Sequence, residues 1–598
     1  MIRPNEPNYT RMMLAVALAG LLLIVWQAQV EYPRRKLIAE VTQAEAEKAA
    51  KARAREAQIE AAKTEPVPQT HAARLAASPR IKIASDKLHG SIALKGARFD
   101  DLQLALYRME LDETSPEVTI FAPQGDEDAY FAQVGWVSPD GSTQVPNDSS
   151  LWKADQKELV AGSSVNLRWD NGQGVTFIIS IALDQDYMFS VGQRVENHSK
   201  AAINVAPYAY INRSYHEPAQ HFNIMHEGPM GVLEGALKEL SYQELREKGT
   251  HSYDNASGWL GITDKYWLSA LIPAEASYHT NFTYYQKSGQ DRYQVDYLGS
   301  TAQIEAGGNA ASALRLFAGA KEIEVLDRYT VGDGKEAPVP LFDRAVDFGV
   351  LYLLTKPLFL LLNYFYSYIG NFGLAIMMLT IVVKLAMFPL ANKAFKATTQ
   401  MRDLQPEMQK LKERCGEDKQ KFNQELIQLY KREKVNPASG CLPILIQMPV
   451  FFALYKVFFV TIEMRHAPFF GWIRDLSAPD SSNLFTLFGL LPWDAPGFLH
   501  LGVLPILMCA TMVIQMKQQP KPTDPTQAKM MAIMPYFFLF MFTGFPAGLV
   551  LYWIWSNILS ILQQIVISWR YHKYHPVGQQ KKASKIAEKK AKKASAEA

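Results

Sequence analysis

Hydrophobic positions divide this chain into two unlike halves. Between about 81 and 329, apolar and β-branched residues come in short runs with a period near two: 81–85, 118–122, 165–170, 175–183, 203–211, 280–285, 292–298 and 314–318. Asp140-Gly141 and Asn171-Gly172 separate some of them, the chemistry of tight hairpin turns. The pattern predicts a β-sandwich over 80–335 with one helical insertion near 236–248. From 340 to 570 the runs lengthen and are dominated by Leu, Phe, Met, Ile and Val. Their lengths predict membrane spans at 372–390, 441–462, 498–516, 530–545 and 549–569. A further apolar run, 12–30, follows Arg3 and Arg11. It is long for a signal-peptide core and lacks an A-x-A cleavage site, so 1–30 reads as an uncleaved signal-anchor span.

The segments between these runs have their own patterns. Residues 31–79 are rich in Ala, Glu, Lys and Arg and then in Pro, as expected of a charged tether. Residues 341–369 are apolar but begin with Asp343, Arg344 and Asp347 and contain Lys356-Pro357. Two readings compete for them, a span and a helix lying along the membrane surface on Phe365, Tyr366 and Tyr368. The charged start and the Lys-Pro pair favour the surface helix. Residues 391–440 carry two charged helical patterns: Leu404, Met408 and Leu411, then Phe422, Leu426 and Leu429. Gly416 between them suits a helix end and turn, which predicts an antiparallel hairpin.

Charge places these pieces across a membrane. The net charge is only +3, but Lys and Arg concentrate in the hairpin, in the 517–529 loop and in the tail 570–598. By the positive-inside rule all three are cytoplasmic. If 341–369 lies flat, the chain has six spans, with both termini inside and the β domain outside. The cluster Arg34-Arg35-Lys36 argues the other way, but long translocated domains weaken the local rule. The lysine-rich tail reads as unstructured and attracted to anionic lipid or RNA.

One span carries a charge in its apolar run: Lys384, within 372–390. An ionised group inside a span is costly and usually faces protein or water, which makes it a functional expectation. The rival reading is that Lys384, five residues before Pro389, snorkels to a nearby interface.

The three cysteines all lie beyond 400, so the β domain has no disulfides. No zinc-type spacing and no phosphate-binding GxxxxGK[ST] loop is present. His216, His221 and His226 cluster in sequence, but without a helical register or a paired acid they read as loop histidines rather than a metal site. Neither a cofactor, a metal nor a catalytic residue is expected.

The stretch VNPASGCLPILIQMPVFFALYKVF (435–458) resembles the YidC/Oxa/Alb family of membrane protein insertases. So do FPAGLVLYWIWSNILSILQQ (545–564), TDPTQAKMMAIMP (523–535) and EMRHAPFFGWIRDLSAPD (463–480). The anchor followed by a large β domain is similar to the Gram-negative, YidC-type version. The resemblance implies a polytopic α-helical membrane protein of about six spans in the inner membrane. It implies a periplasmic β-supersandwich of the sugar-mutarotase type and a cytoplasmic helical hairpin.

The implied function is insertion and folding of nascent membrane proteins, alone or with the Sec translocon, through a hydrophilic groove open to the cytoplasm. The ribosome would meet the hairpin and the basic tail. The family's groove charge falls on Lys384. Many members carry Arg there, so an electrostatic role carries over but a bidentate clamp does not. Gln515 and Trp553 match other groove-lining positions. Gln447, Asn557, Gln563 and Gln564 are further candidates, each with the rival reading that it bonds a neighbouring helix. A different class remains open, a membrane-tethered carbohydrate-binding or carbohydrate-modifying protein acting through its β domain. The latter would need paired acids in a cleft.

Overall fold

The computed structural model describes residues 70–215, 225–287, 289–332, 334, 337–416, 418–433, 435, 442–486, 501–520 and 525–574. The N-terminal span, most of the tether, His216, His221, the tail beyond 574 and most of the 482–500 region lie outside the described residues.

A short helix, α1 (His71–Ala76), leads into the β domain. Its strands form one sheet of eleven and one of nine. The sheets are antiparallel apart from Arg80–Ala84 beside Glu158–Val160. Alternation puts every second side chain inward, and the two inner faces meet in an aromatic core. Phe99 of one sheet meets Phe189 of the other at 5.3 Å between ring centroids, and Trp136 meets Phe177 at 5.1 Å. Asn171-Gly172 closes the hairpin between Ser164–Asp170 and Val175–Leu183, with Gly172 at φ 72°, whereas Gly141 (φ 66°) turns a long loop between strands of different sheets. The region near 236–248 holds a strand, Ala236–Glu239, followed by helix α2 (Tyr242–Lys248), capped by Ser241 Oγ. Trp259 is fully buried, and its indole donates to the Pro340 carbonyl. It is a core residue. His226 is held by the Asp347 carboxylate and the Pro229 carbonyl, and no metal-holding cluster exists among the described residues.

The β domain ends in α3 (Ile323–Val331) and a 3-10 turn, Phe342–Ala345. Helix α4 (Tyr352–Ile369) follows. Lys356-Pro357 does not interrupt it. Proline at this point forfeits one helical hydrogen bond, while Lys356 Nζ reaches back to Asp327 (2.7 Å) and Asp343 (2.8 Å) of the β domain. The pair therefore fastens the helix instead of breaking it. Thr355, Leu358, Phe359 and Leu362 form its buried stripe, and Leu353, Tyr364 and Tyr368 remain exposed.

The remaining helices are α5 (Phe372–Ala386), α6 (Phe388–Cys415), α7 (Lys419–Arg432), α8 (Leu442–Val460), α9 (Val503–Lys517), α10 (Pro525–Met541) and α11 (Ala547–Tyr574). The run 372–390, read as one helix from sequence, is two: α5 and α6 are bent by 72° at Met387. Pro389 stands in the first turn of α6, where its missing N–H costs nothing, so the chain restarts there. Helices α6 and α7 pack as an antiparallel pair. Arg414 bonds Glu425, Tyr430 meets Met408 and Arg432 meets Glu407, contacts that run in opposite chain directions. Gly416 ends α6 at φ 57°.

Among the described residues, one helix, α11, is long and apolar enough to cross a membrane unbroken, and the bent pair α5–α6 passes the same test together. Shorter apolar helices cover Gln447–Val460, Val503–Lys517 and Ala528–Gly544.

The β domain and the bundle are joined by polar contacts. Lys456 of α8 pairs with Asp347 at 2.8 Å. Glu463 accepts from the Ile323 N–H at the start of α3 (3.2 Å), and Arg465 donates to the Arg108 and Met109 carbonyls. Burial pushes the Glu463 carboxyl up to about 7.

Candidate functional site: a lysine notch between three helices

Helix α5 is positioned at its start by local signals. Gly370 (φ 68°) reverses the chain after α4. Asn371 then caps α5 by accepting from the Leu374 N–H at 3.1 Å. Its buried residues Phe372, Ala375, Ile376, Leu379, Thr380 and Val383 repeat at three and four, a single stripe. Lys384 lies four residues after Thr380, on the margin of that stripe, in the last turn of α5. Cations are favoured there by the helix dipole.

The Lys384 ammonium reaches across to two other helices. It donates to Gln447 Oε1 of α8 at 3.3 Å and to Ser560 Oγ of α11 at 2.9 Å. Gln447 in turn donates its amide to the Tyr552 hydroxyl, and the Ser560 hydroxyl donates to the Ser556 carbonyl at 2.8 Å. Three helices thus converge on one amine through neutral acceptors. A cation in a low-dielectric setting without a carboxylate is expensive to hold. Its charge remains available to something else.

The notch opens into a cavity of about 580 Å³ between α5, the start of α6 and α11. Ile381, Leu385, Leu562 and Val566 form apolar walls, and Gln563, Lys396 and Arg570 share the lining with Lys384. Among the described residues lining it there is no Asp or Glu.

The other residues expected from sequence are distributed unevenly. Gln447 binds Lys384 directly, and Gln563 lines the cavity, its buried Nε2 without a partner. Asn557 instead donates to Thr511 Oγ1 of α9 at 3.1 Å. Gln564 donates to the Gln518 carbonyl at 3.2 Å. Both fit the rival reading of helix-to-helix bonding. Trp553 sits one turn above this polar stripe, among Phe451 (4.8 Å), Phe542 (5.2 Å) and Phe538 (6.2 Å), as an aromatic plug between α8, α10 and α11. Gln515 is half-buried in the last turns of α9 and does not line the cavity. Sequence reasoning missed Tyr552, Ser556 and Ser560. The signal was there: Ser556, Asn557, Ser560, Gln563 and Gln564 recur at three and four along an otherwise apolar helix.

A second cavity, of about 620 Å³, lies on the nine-stranded sheet, with Lys153, Arg168 and Arg194 among its lining. Asp155 is its one lining carboxylate, and it is occupied by Asn166. The paired acids of glycoside chemistry are not among its described lining residues.

A β-sandwich fastened to a bundle of apolar helices, with a lysine notch in that bundle, defines a membrane protein with a large extramembrane domain. Residues 364–574 match the family model of the 60Kd inner membrane protein, and residues 80–361 match that of the YidC periplasmic domain. The membrane protein insertase YidC of Rickettsia bellii (strain OSU 85-389) is 49% identical over 493 residues, 82% of this chain and 88% of that protein. That of Rickettsia massiliae (strain Mtu5) is 49% identical over 491 residues, 82% and 87%. A crystal structure of an active YidC insertase with its first transmembrane domain resolved covers 81% of this chain and 92% of its own. It does so at 17% identity and a TM-score of 0.35, too loose a likeness to carry an argument. The chain belongs to the YidC family of membrane protein insertases. It is an inner-membrane protein whose β-sandwich is the periplasmic domain, and it is not an enzyme.

Proposed function

We propose that the chain inserts nascent membrane proteins by offering their polar ends a part-way shelter at Lys384. The observation that carries this is the amine itself, held by Gln447 and Ser560 with no carboxylate beside it among the described residues and a cavity at its flank. An acidic residue of a client entering the cavity would gain the counter-charge interaction that the protein withholds from itself. The client's apolar helix then partitions sideways into lipid, which supplies the driving free energy. No bond is made or broken.

Helix lengths support a thinned bilayer around the site. Helices α5 and α9 have 15 residues each, about 22 Å at 1.5 Å per residue, against a hydrocarbon core of roughly 30 Å. Short spans thin the membrane locally and shorten the polar segment's path. In this reading the spans are 12–30, α5, α8, α9, α10 and α11, and α4 lies on the periplasmic surface. The α6–α7 hairpin, both termini and the open end of the cavity are cytoplasmic. Of the further candidates, Gln447 holds the amine and Gln563 lines the groove, while Gln515, Trp553, Asn557 and Gln564 lie outside its lining. The hairpin and the basic tail are the surfaces offered to the ribosome, and the Sec translocon is a partner for longer clients.

The test is insertion of a short client with an acidic translocated tail into vesicles. Lys384→Ala should lower it on the order of tenfold and Lys384→Arg by less than threefold, since the charge remains. Parent-like insertion by Lys384→Ala would remove the electrostatic role.

A further inference from the structure

We propose that, between clients, the cavity beside Lys384 holds an anionic phospholipid of the cytoplasmic leaflet, its phosphate between Lys396 and Arg570 and its chains along the α11 wall. The proposal rests on the reading of this cavity as a lipid-open groove, and it names the resting occupant of that groove.

Position along the helix separates two kinds of site within one cavity. Ser560, which binds the Lys384 amine, and Arg570 are ten residues apart on α11, about 15 Å along its axis. Arg570 therefore lies on the cytoplasmic side of the Lys384 amine, towards the headgroups. Lys384 thus lies at client depth and Arg570 at phosphate depth, with Lys396 as the second cation lining the same cavity.

The walls fit acyl chains. Leu385 (63% exposed), Leu562 (53%), Val566 (53%) and Phe388 (44%) present apolar surface that no described residue covers. Their row leads from the basic mouth towards the depth of Lys384. The mouth itself holds Lys396 and Arg570 with the aromatic side chains of Tyr571 and Tyr574. Aromatic and basic residues in this order are what a headgroup boundary selects. Basic pockets between helices on the cytoplasmic side are suited to anionic headgroups. No carboxylate among the described lining residues competes for the two cations. The volume, about 580 Å³, is in the range of small-ligand sites and far below that of a whole lipid. It suits a glycerophosphate headgroup with the first methylenes, the chains continuing over the open wall.

A lipid has an advantage over a client as the resting occupant, because it is always present in the leaflet. It offers the mouth its counter-charge, keeps the apolar walls covered and leaves laterally when a client helix arrives along the same face.

The experiment uses the full chain in phosphatidylcholine vesicles with a trace of spin-labelled phosphatidylglycerol or spin-labelled phosphatidylcholine. It is run in 1 M salt, where charges in open solution are screened within about 3 Å. The parent should restrict phosphatidylglycerol in preference to phosphatidylcholine. Lys396→Gln with Arg570→Gln should bring the two labels towards parity, a loss of up to about twenty-five-fold at roughly fivefold per basic residue. Lys589→Gln with Lys590→Gln, the same charge change in the tail, should leave the preference in place. Excess inorganic phosphate should not displace the labelled lipid. Unchanged restriction of phosphatidylcholine in the cavity variant confirms that it is folded.

Equal restriction of both labels by the parent, a preference that survives the cavity variant, one lost in the tail variant, or displacement by inorganic phosphate would each overturn the proposal. The groove reading is scored separately. Lys384→Ala failing to insert a client while the parent shows no lipid preference sinks the lipid site alone. Normal insertion by Lys384→Ala alongside a clear preference sinks the groove alone.

Discussion

The junction and the notch treat half-buried lysines in opposite ways. At the junction, Lys356 has two carboxylates, Asp327 and Asp343, and Lys456 has Asp347. Burial alone would lower the Lys356 pKa, but its hydrogen bonds to Asp327, Asp343 and Tyr352 outweigh this and raise it. In the notch, Lys384 receives an amide oxygen and a hydroxyl. Lys356 and Lys456 are neutralised where they join two parts, whereas Lys384 is held by neutral acceptors alone, as is the buried Lys321 with the Thr263 hydroxyl and the Ala345 carbonyl.

The largest expected difference comes from removing the junction lysine. Lys356→Ala leaves Asp327 and Asp343 without their partner and should cost about 2–3 kcal/mol. That is below the roughly 3–5 kcal/mol of a fully buried pair because Asp327 keeps about a third of its exposure. Thermal unfolding of the purified chain measures it, and an unchanged midpoint would erase the contrast.

Next is the pH response of the junction. Glu463 is buried, and its carboxyl is raised from 4.5 to about 7, first by desolvation and then by the nearby Glu322 and Glu324. A carboxyl raised on folding contributes stability that is complete below about 4.5 and is lost as pH rises through about 7. The attachment of α3 to the bundle should therefore be tighter at pH 5 than at pH 8, by on the order of 1–3 kcal/mol. Hydrogen exchange of the Ile323 amide reads this directly, and Glu463→Gln should flatten the profile. A parent profile already flat would mean the carboxyl is not protonated there.

Lys384→Met should behave in the opposite sense to Lys356→Ala. Replacing an uncompensated cation by an apolar chain should hold or raise thermal stability, by about 1 kcal/mol, while client insertion falls. Simultaneous loss of both would make Lys384 a structural lysine like those at the junction. The smallest effect is that of Asn557→Ala. It removes one interhelical bond to Thr511, worth about 0.6 kcal/mol in a membrane, and should leave insertion within a factor of two.

Sequence reading succeeded where local chemistry acts alone and failed where burial is two-sided. The turn glycines 141 and 172 and the helix end at Gly416 were visible because a left-handed turn needs a glycine. Tyr130–Val137 was invisible as a strand because seven of its eight residues are buried, which erases the alternation. Gly228–Leu233, buried throughout, was hidden by its Gly-Pro start, which reads as a turn. Near the site, the bend at Met387 escaped because an apolar composition continues through it.

The amino-acid order by itself determined the partition into a β half and an apolar helical half. It also determined the lysine placed inside an apolar run and the polar stripe on the last helix, since period and charge are properties of neighbours in sequence. Which way the amine turns was decided only by the fold. Gln447 and Ser560 stand 63 and 176 residues from Lys384, and nothing local brings them together. Packing of three helices sets that meeting, and it alone selects between an amine drawn to the surface and one held, still charged, at the edge of a cavity.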